Sequence, residues 1–112
     1  MPPPASYLSV LLKLVGYLDN VTYPKGTEIS RERLSELTPT HLMRWFNHIT
    51  FGTETPTEDS RPTGRSTSIE FRKKALSYFM PNKLMVWNEL SNVGNPTRCI
   101  ELNELIKRVK KR

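Results

Sequence analysis

Apolar residues recur at helical spacing in four stretches of this chain, and the intervals between them are rich in proline, glycine and hydroxyl side chains. In "SYLSVLLKLVGYLDN" Leu8, Leu11, Leu12, Val15 and Leu18 stand three and four apart, which predicts an amphipathic helix with Ser6 as its N-cap and Asp19-Asn20 as its stop. The segment "VTYPKGTE" carries turn chemistry in Pro24 and Gly26, after which Ser30 can cap a short helix over "RERLSEL". Thr38 followed by Pro39 is a strong start signal and Gly52 a strong stop. Between them Leu42, Trp45, Phe46 and Ile49 form a buried stripe.

Residues 53–65 contain no aliphatic or aromatic side chain and read as an exposed loop, mobile and long enough to serve a function. In the stretch "GRSTSIEFRKKALSYFM" that overlaps its end, Thr67 and Glu70 match a capping box that would start a helix at Ser68. On a helical wheel Ile69, Phe71, Ala75, Leu76, Phe79 and Met80 cover one half, whereas Glu70, Lys73, Lys74 and Ser77 share the other. Arg72 falls inside the apolar half, where it either carries its head to the rim on a long stem or finds a partner.

Pro81 ends this helix. The semi-apolar connection "NKLMVWNELSNVGN" leaves room for one helical turn, and Pro96 punctuates again. The last stretch, "TRCIELNELIKRVKKR", sets Leu102, Leu105, Ile106 and Val109 on one face. No period-two run longer than a few residues appears, so no sheet is predicted. The expected fold is all-α: residues 1–112 as a single compact domain of four to five helices, with residues 1–5 flexible and 53–65 exposed.

Charge changes the picture more than composition does. The hydrophobic fraction of 37% is ordinary, and nine prolines with a mean hydropathy of −0.51 imply long polar connections. No window has the roughly 18 apolar residues a membrane span needs, and the first 20 residues lack the features of a secretory signal. A soluble, intracellular protein with no membrane partner is expected. A lone cysteine, Cys99, suits a reducing compartment and a buried, small apolar role. Residues 1–60 hold five Lys/Arg against seven Asp/Glu, net −2, and residues 61–112 hold twelve against four, net +8. Such asymmetry points to nucleic acid or another anionic surface, through steering and counterion release.

Candidate chemistry is one of binding. His41 and His48 are seven apart, too far for two imidazoles on one metal, and no carboxylate or thiolate pattern completes a site. Neither a phosphate-cradling glycine loop nor a nucleophile elbow is present. The expectation is no enzyme, no cofactor, no metal and no small-molecule substrate. Lys73 and Lys74, with Arg72 beside them and Arg61 and Arg65 on the preceding loop, suit phosphates on both sides of a groove, against the plainer reading of a solvated helix face. Five of the six residues from Lys107 to Arg112 are basic, more than compensating a helix dipole requires. That cluster reads as a phosphate-contacting or linker element, with nuclear import as another use. Trp45 and Trp87 stand at core spacing, and the four tyrosines are scattered with no basic constellation around any of them.

The order of these features resembles the N-terminal core-binding, or SAM-like, domain of tyrosine recombinases. "SELTPTHLMRWF" is similar to that family's helix entry, "RSTSIEFRKKALSYFM" to its third long helix, and "GNPTRCIELNELIKRVKK" to the Asn-Pro turn before the basic helix that leads to the catalytic domain. The wording "ALSYFMPNKLMVWNELSNVGNPTR" looks most like recombinase-like proteins of crypton-type eukaryotic mobile elements. The resemblance spans nearly the whole chain. It implies a helical domain packed on one side of duplex DNA, with the catalytic arginines, histidine and tyrosine on a second domain that this chain does not carry.

By position, the resemblance brings the helix with Arg72, Lys73, Lys74 and Ser77 to DNA, with Arg65, Ser66 and Thr67 near phosphates at its start. The helix bearing His41, Arg44 and His48 is a second candidate surface, and Lys107, Lys110 and Lys111 supply terminal contacts. The expected function is non-catalytic, nuclear, double-stranded DNA binding, mainly through phosphates. The alternatives are a protein-interaction module, in which the apolar face of "IELNELIKRV" docks a neighbouring subunit and forms a homo-oligomer on DNA, or a single-strand or RNA binder, which would need exposed aromatic rings.

Overall fold

Proline at position 4 sets where the first helix begins, because its fixed φ suits a helix start and its missing N–H is no loss there. In the computed structural model, which describes residues 4–63, 66–82 and 84–111, α1 runs Ala5–Asp19 with Pro4 (φ −56°) at the N-cap position. Ser6, expected as the cap, lies inside the first turn, where the Tyr7 N–H bonds to the Pro4 carbonyl at 3.0 Å. Of the segment expected to be flexible, residues 1–3 lie outside the described residues. Asn20, at φ 59°, ends α1 in the left-handed region, as its sequence context predicts.

The short α2, Arg31–Ser35, is capped by the Ser30 hydroxyl, which accepts the Arg33 N–H at 3.1 Å. α3, Pro39–Phe51, starts at Thr38 and stops at Gly52, whose φ of 78° favours glycine. A capping box does occur, but at α3: the Thr38 Oγ1 accepts the His41 N–H at 3.4 Å and His41 Nδ1 accepts the Thr38 N–H at 3.1 Å. At α4, Ser66–Phe79, the helix is already formed at Ser66, so Thr67 sits within the first turn instead of capping it. A short 3-10 turn, Pro96–Arg98, leads into α5, Ile100–Lys110.

α1 packs on α4 and α3, and α5 packs on the same two helices. Leu11, Leu14, Leu42, Phe46, Ile69, Leu76 and Leu102 meet in the centre, and the radius of gyration of 13.7 Å is that of one compact body of this length. The protein is thus all-α, with five α-helices among the described residues. Trp45 is buried at 5.2 Å from the Phe46 ring, edge to face, and Trp87 packs half-buried against the same core. Cys99 is buried as well, and burial pushes its thiol up to about 11. The face of α5 expected to dock a neighbouring subunit, Leu102, Leu105, Ile106 and Val109, is used up inside the chain's own core.

The described residues of 82–95 form no helix, only single turns closed by the Met85 N–H on the Asn82 carbonyl at 3.0 Å and the Asn92 N–H on the Asn88 carbonyl at 2.8 Å. They double back through isolated bridges pairing Val86 with Asn95 and Asn88 with Val93. The Asn88 Oδ1 accepts the N–H groups of Leu90 and Ser91 at 2.9 and 3.1 Å, and Gly94 (φ 123°) closes the turn where a Cβ would stand 2.5 Å from the Val86 carbonyl oxygen. Leu90 is carried at the tip, 97% exposed.

The loop after α3 is pinned. Arg108 of α5 donates to the carbonyl oxygens of Thr57 and Ser60 at 2.6 and 3.1 Å and lies 4.6 Å over the Phe51 ring. The Thr63 N–H bonds to the Thr50 carbonyl at 2.8 Å. Residues 53–63 are exposed or half-buried and anchored at several points.

Candidate nucleic-acid interface

Residues three and four apart on a helix share a face. On α4 this rule aligns Glu70, Lys73, Lys74 and Ser77, and on α5 it aligns Asn103, Lys107 and Lys110. Because α4 and α5 pack together, the two rows face a common groove of about 970 Å³, completed by Arg98 and Thr97 of the 3-10 turn, Tyr7 of α1, Tyr78, Val86, Ile100 and Ile106. Five cations line it, Lys73, Lys74, Arg98, Lys107 and Lys110, against one carboxylate, Glu70. The sequence distance between Lys73 and Lys110 is bridged entirely by packing.

The groove cations are lightly held. Lys110 Nζ lies 3.2 Å from the Glu70 carboxylate and Lys107 Nζ 3.9 Å from Glu104, both exposed pairs of the kind worth about 0–1 kcal/mol, so an arriving phosphate can displace them. Lys73 donates to Asn103 Oδ1 at 2.7 Å, a bond that spans the groove floor from α4 to α5. Lys74 and Arg98 make no ion pair with the described residues.

Other residues singled out in the sequence stand elsewhere. Arg65 lies outside the described residues. Ser66 and Thr67 occupy the first turn of α4, one turn before Glu70 and off the groove. Lys111 caps α5 beyond the groove's end, exposed. Ser77 lines the groove, but its Oγ accepts the Asn95 side-chain amide at 2.8 Å, which ties the Asn-Pro turn to α4. Asn95 is fully buried and its Oδ1 also accepts from the N–H and hydroxyl of Thr97, at 2.9 and 2.6 Å. Arg72, left open between rim and partner, reaches a separate cleft along α1 beside Leu8, Leu12 and Lys13, without an ion pair among the described residues.

The second candidate surface on α3 is spent on folding. His41 caps the helix, and burial lowers its affinity for a proton, with Arg33 and Arg44 adding to the effect. Arg44 Nε pairs with Glu54 at 3.2 Å, and His48 stacks on Tyr17 at 4.8 Å. Glu54 also accepts the Tyr17 hydroxyl, which holds the carboxyl below its usual range, with Arg44 as the second cause.

The structure corrects the reading of the tyrosines. Tyr7 and Tyr78 stand in the wall of the basic groove, with Tyr7 in edge-to-face contact with both Phe71 and Tyr78 at 5.8 and 5.9 Å. Phe71, assigned to the buried half of α4, is exposed, because the core face is centred on Ile69, Leu76 and Met80 instead. Arg98, Tyr7, Tyr78 and Asn103 are among the groove residues that sequence reasoning missed. Only the Asn-Pro turn ahead of Arg98 offered a signal.

Among the described residues no three His, Cys, Asp or Glu side chains gather as a metal site, and no helix is long and apolar enough to cross a membrane. Comparisons of the chain with protein-family models, with curated proteins and with solved structures give no match.

Proposed function

We propose that this chain is a double-stranded DNA-binding domain of a tyrosine-recombinase-like protein, built on a SAM-like core-binding architecture, which holds the phosphate backbone in the groove between α4 and α5. The observation that carries the reading is the groove itself: five cations from three elements converge on one exposed channel that one carboxylate shares. Phosphates are the ligand such a channel fits best, since each contact releases condensed counterions whichever base is attached. The order of sequence motifs supports the recombinase-like assignment, and the burial of the apolar face of α5 favours DNA over a neighbouring subunit as the partner. The role is one of binding and positioning, in the nucleus.

The test is a salt titration with a labelled duplex. Five phosphate contacts give a log affinity that falls against log salt with a slope of about −4 to −6. A flat response, or no duplex binding at low salt, removes the proposal.

A further inference from the structure

Phe71, Lys74 and Tyr78 follow an i, i+3, i+7 pattern and so lie along one strip of α4, of which Lys74 and Tyr78 line the basic groove and Phe71 lies about one turn before Lys74. Phe71 is 43% exposed and Tyr78 38%, although rings of this size gain most from burial. Tyr7 contacts both rings edge to face, inclined at 68° to Phe71 and 66° to Tyr78, and Phe79 meets Tyr78 at 5.3 Å, so both α4 rings are held in place. Lys74, exposed and outside any ion pair with the described residues, follows Phe71 and precedes Tyr78 by about one turn on the same strip. A cation and two part-exposed rings along one helical strip, beside a phosphate-sized channel, suit unpaired nucleotides: a base can stack on an exposed ring, and the ammonium meets the linking phosphate.

We infer that the Phe71–Lys74–Tyr78 strip is a stacking platform for unpaired bases, so that the protein prefers DNA in which a duplex meets a single-stranded tail. A fully paired duplex keeps its bases stacked on one another and offers nothing to these rings. A tail leaving the groove supplies bases at the strip while the duplex portion stays on the lysines. This inference rests on the phosphate-groove reading above.

Three probes separate the two ideas: a blunt duplex, the same duplex with a six-nucleotide single-stranded tail, and the same duplex with a tail of abasic residues, which keeps every phosphate and removes every base. The base-bearing tail is expected to bind about tenfold tighter than the abasic one, the gain of roughly one stacked base. In Phe71→Leu/Tyr78→Leu, which keeps apolar bulk and loses the ring faces, that ratio falls to within about twofold, and in Phe71→Leu alone, a residue outside the groove lining, blunt-duplex affinity holds. The ratio is internal to one preparation, so partial loss of folded protein cancels, and the two single variants read the same ratio if the double variant folds poorly. Equal binding of the two tails, or a preference that survives in the leucine variants, overturns the inference while leaving the groove reading standing. Failure to bind any of the three probes overturns both.

Discussion

The α1–α3 half and the α4–α5 half use the same basic residue types for opposite purposes. In the first, Arg33 joins Asp19 at 2.8 Å and Glu36 at 3.5 Å, and Arg44 joins Glu54 at 3.2 Å, so each of these cations is part of the scaffold. In the second, the lysines of α4 and α5 outnumber their acidic neighbours, and the groove keeps a surplus of positive charge. Arg108 is the exception, since it holds the loop after α3. A basic residue's role therefore follows from the carboxylates and carbonyl oxygens within reach, and the net charge of each half only sets how many cations are left over.

Breaking that contrast begins with the groove. Lys73→Glu/Lys74→Glu is expected to weaken duplex binding by at least about thirtyfold at 0.15 M salt and to reduce the salt slope by about 2, whereas Arg33→Ala/Arg44→Ala leaves both within about twofold. Fluorescence anisotropy across salt reads both quantities. Equal losses from the two pairs would erase the division between scaffold and groove.

Next in size is the exception. Arg108→Ala removes two charge-assisted bonds to carbonyl oxygens and a ring contact, an expected loss of about 1–2 kcal/mol in urea unfolding, with new protease cleavage between residues 53 and 63. DNA affinity should barely move. If binding falls and stability holds, Arg108 belongs with the groove instead.

Arg33→Ala should cost about 0.5–1 kcal/mol of stability, fading at high salt, because the pair it forms with Asp19 is only partly screened. Asp19 is held below its ordinary 3.8 by the Tyr23 hydroxyl first and Arg33 second, and Glu54 below its ordinary 4.5 by the Tyr17 hydroxyl first and Arg44 second. Both groups bind protons more weakly when folded, so their contribution is present at neutral pH and is lost as pH falls through 4.5 and 3.8 to their lower folded values. Acid titration of Arg33→Ala should show a shallower loss than wild type.

The smallest effect concerns His41. Its folded pKa lies below 6.5, so its capping bond contributes fully above that pH and weakens as pH falls toward the folded value. His41→Gln retains an acceptor at the third helical position and should remove the slope just below pH 6.5 while changing stability at neutral pH by only a few tenths of a kcal/mol. A slope that persists unchanged in the glutamine variant would assign it to other groups.

The amino-acid sequence determined the helices and most of their ends. Ser30, Thr38, Pro39, Asn20 and Gly52 act through bonds and backbone angles that reach no more than four residues, so local chemistry suffices to read them. The buried stripe of α5 was legible for the same reason, because helical periodicity is a property of the chain alone, and those of α1 and α3 were legible in part: Leu8, Leu18 and Ile49 are half-buried, and Val10 and Leu14 join the core instead. The start of α4 and the direction of its core face were not: Thr67 with Glu70 carries a cap pattern, yet the helix already includes Ser66, and the packing of α4 on α1 and α5 selects which arc is covered. Nor could the sequence say which cations are free. Glu54 reaches Arg44 across ten positions and Arg108 reaches Thr57 across fifty-one, and only the close approach of those segments decides that one basic residue builds the fold while Lys74, exposed, makes no ion pair with the described residues.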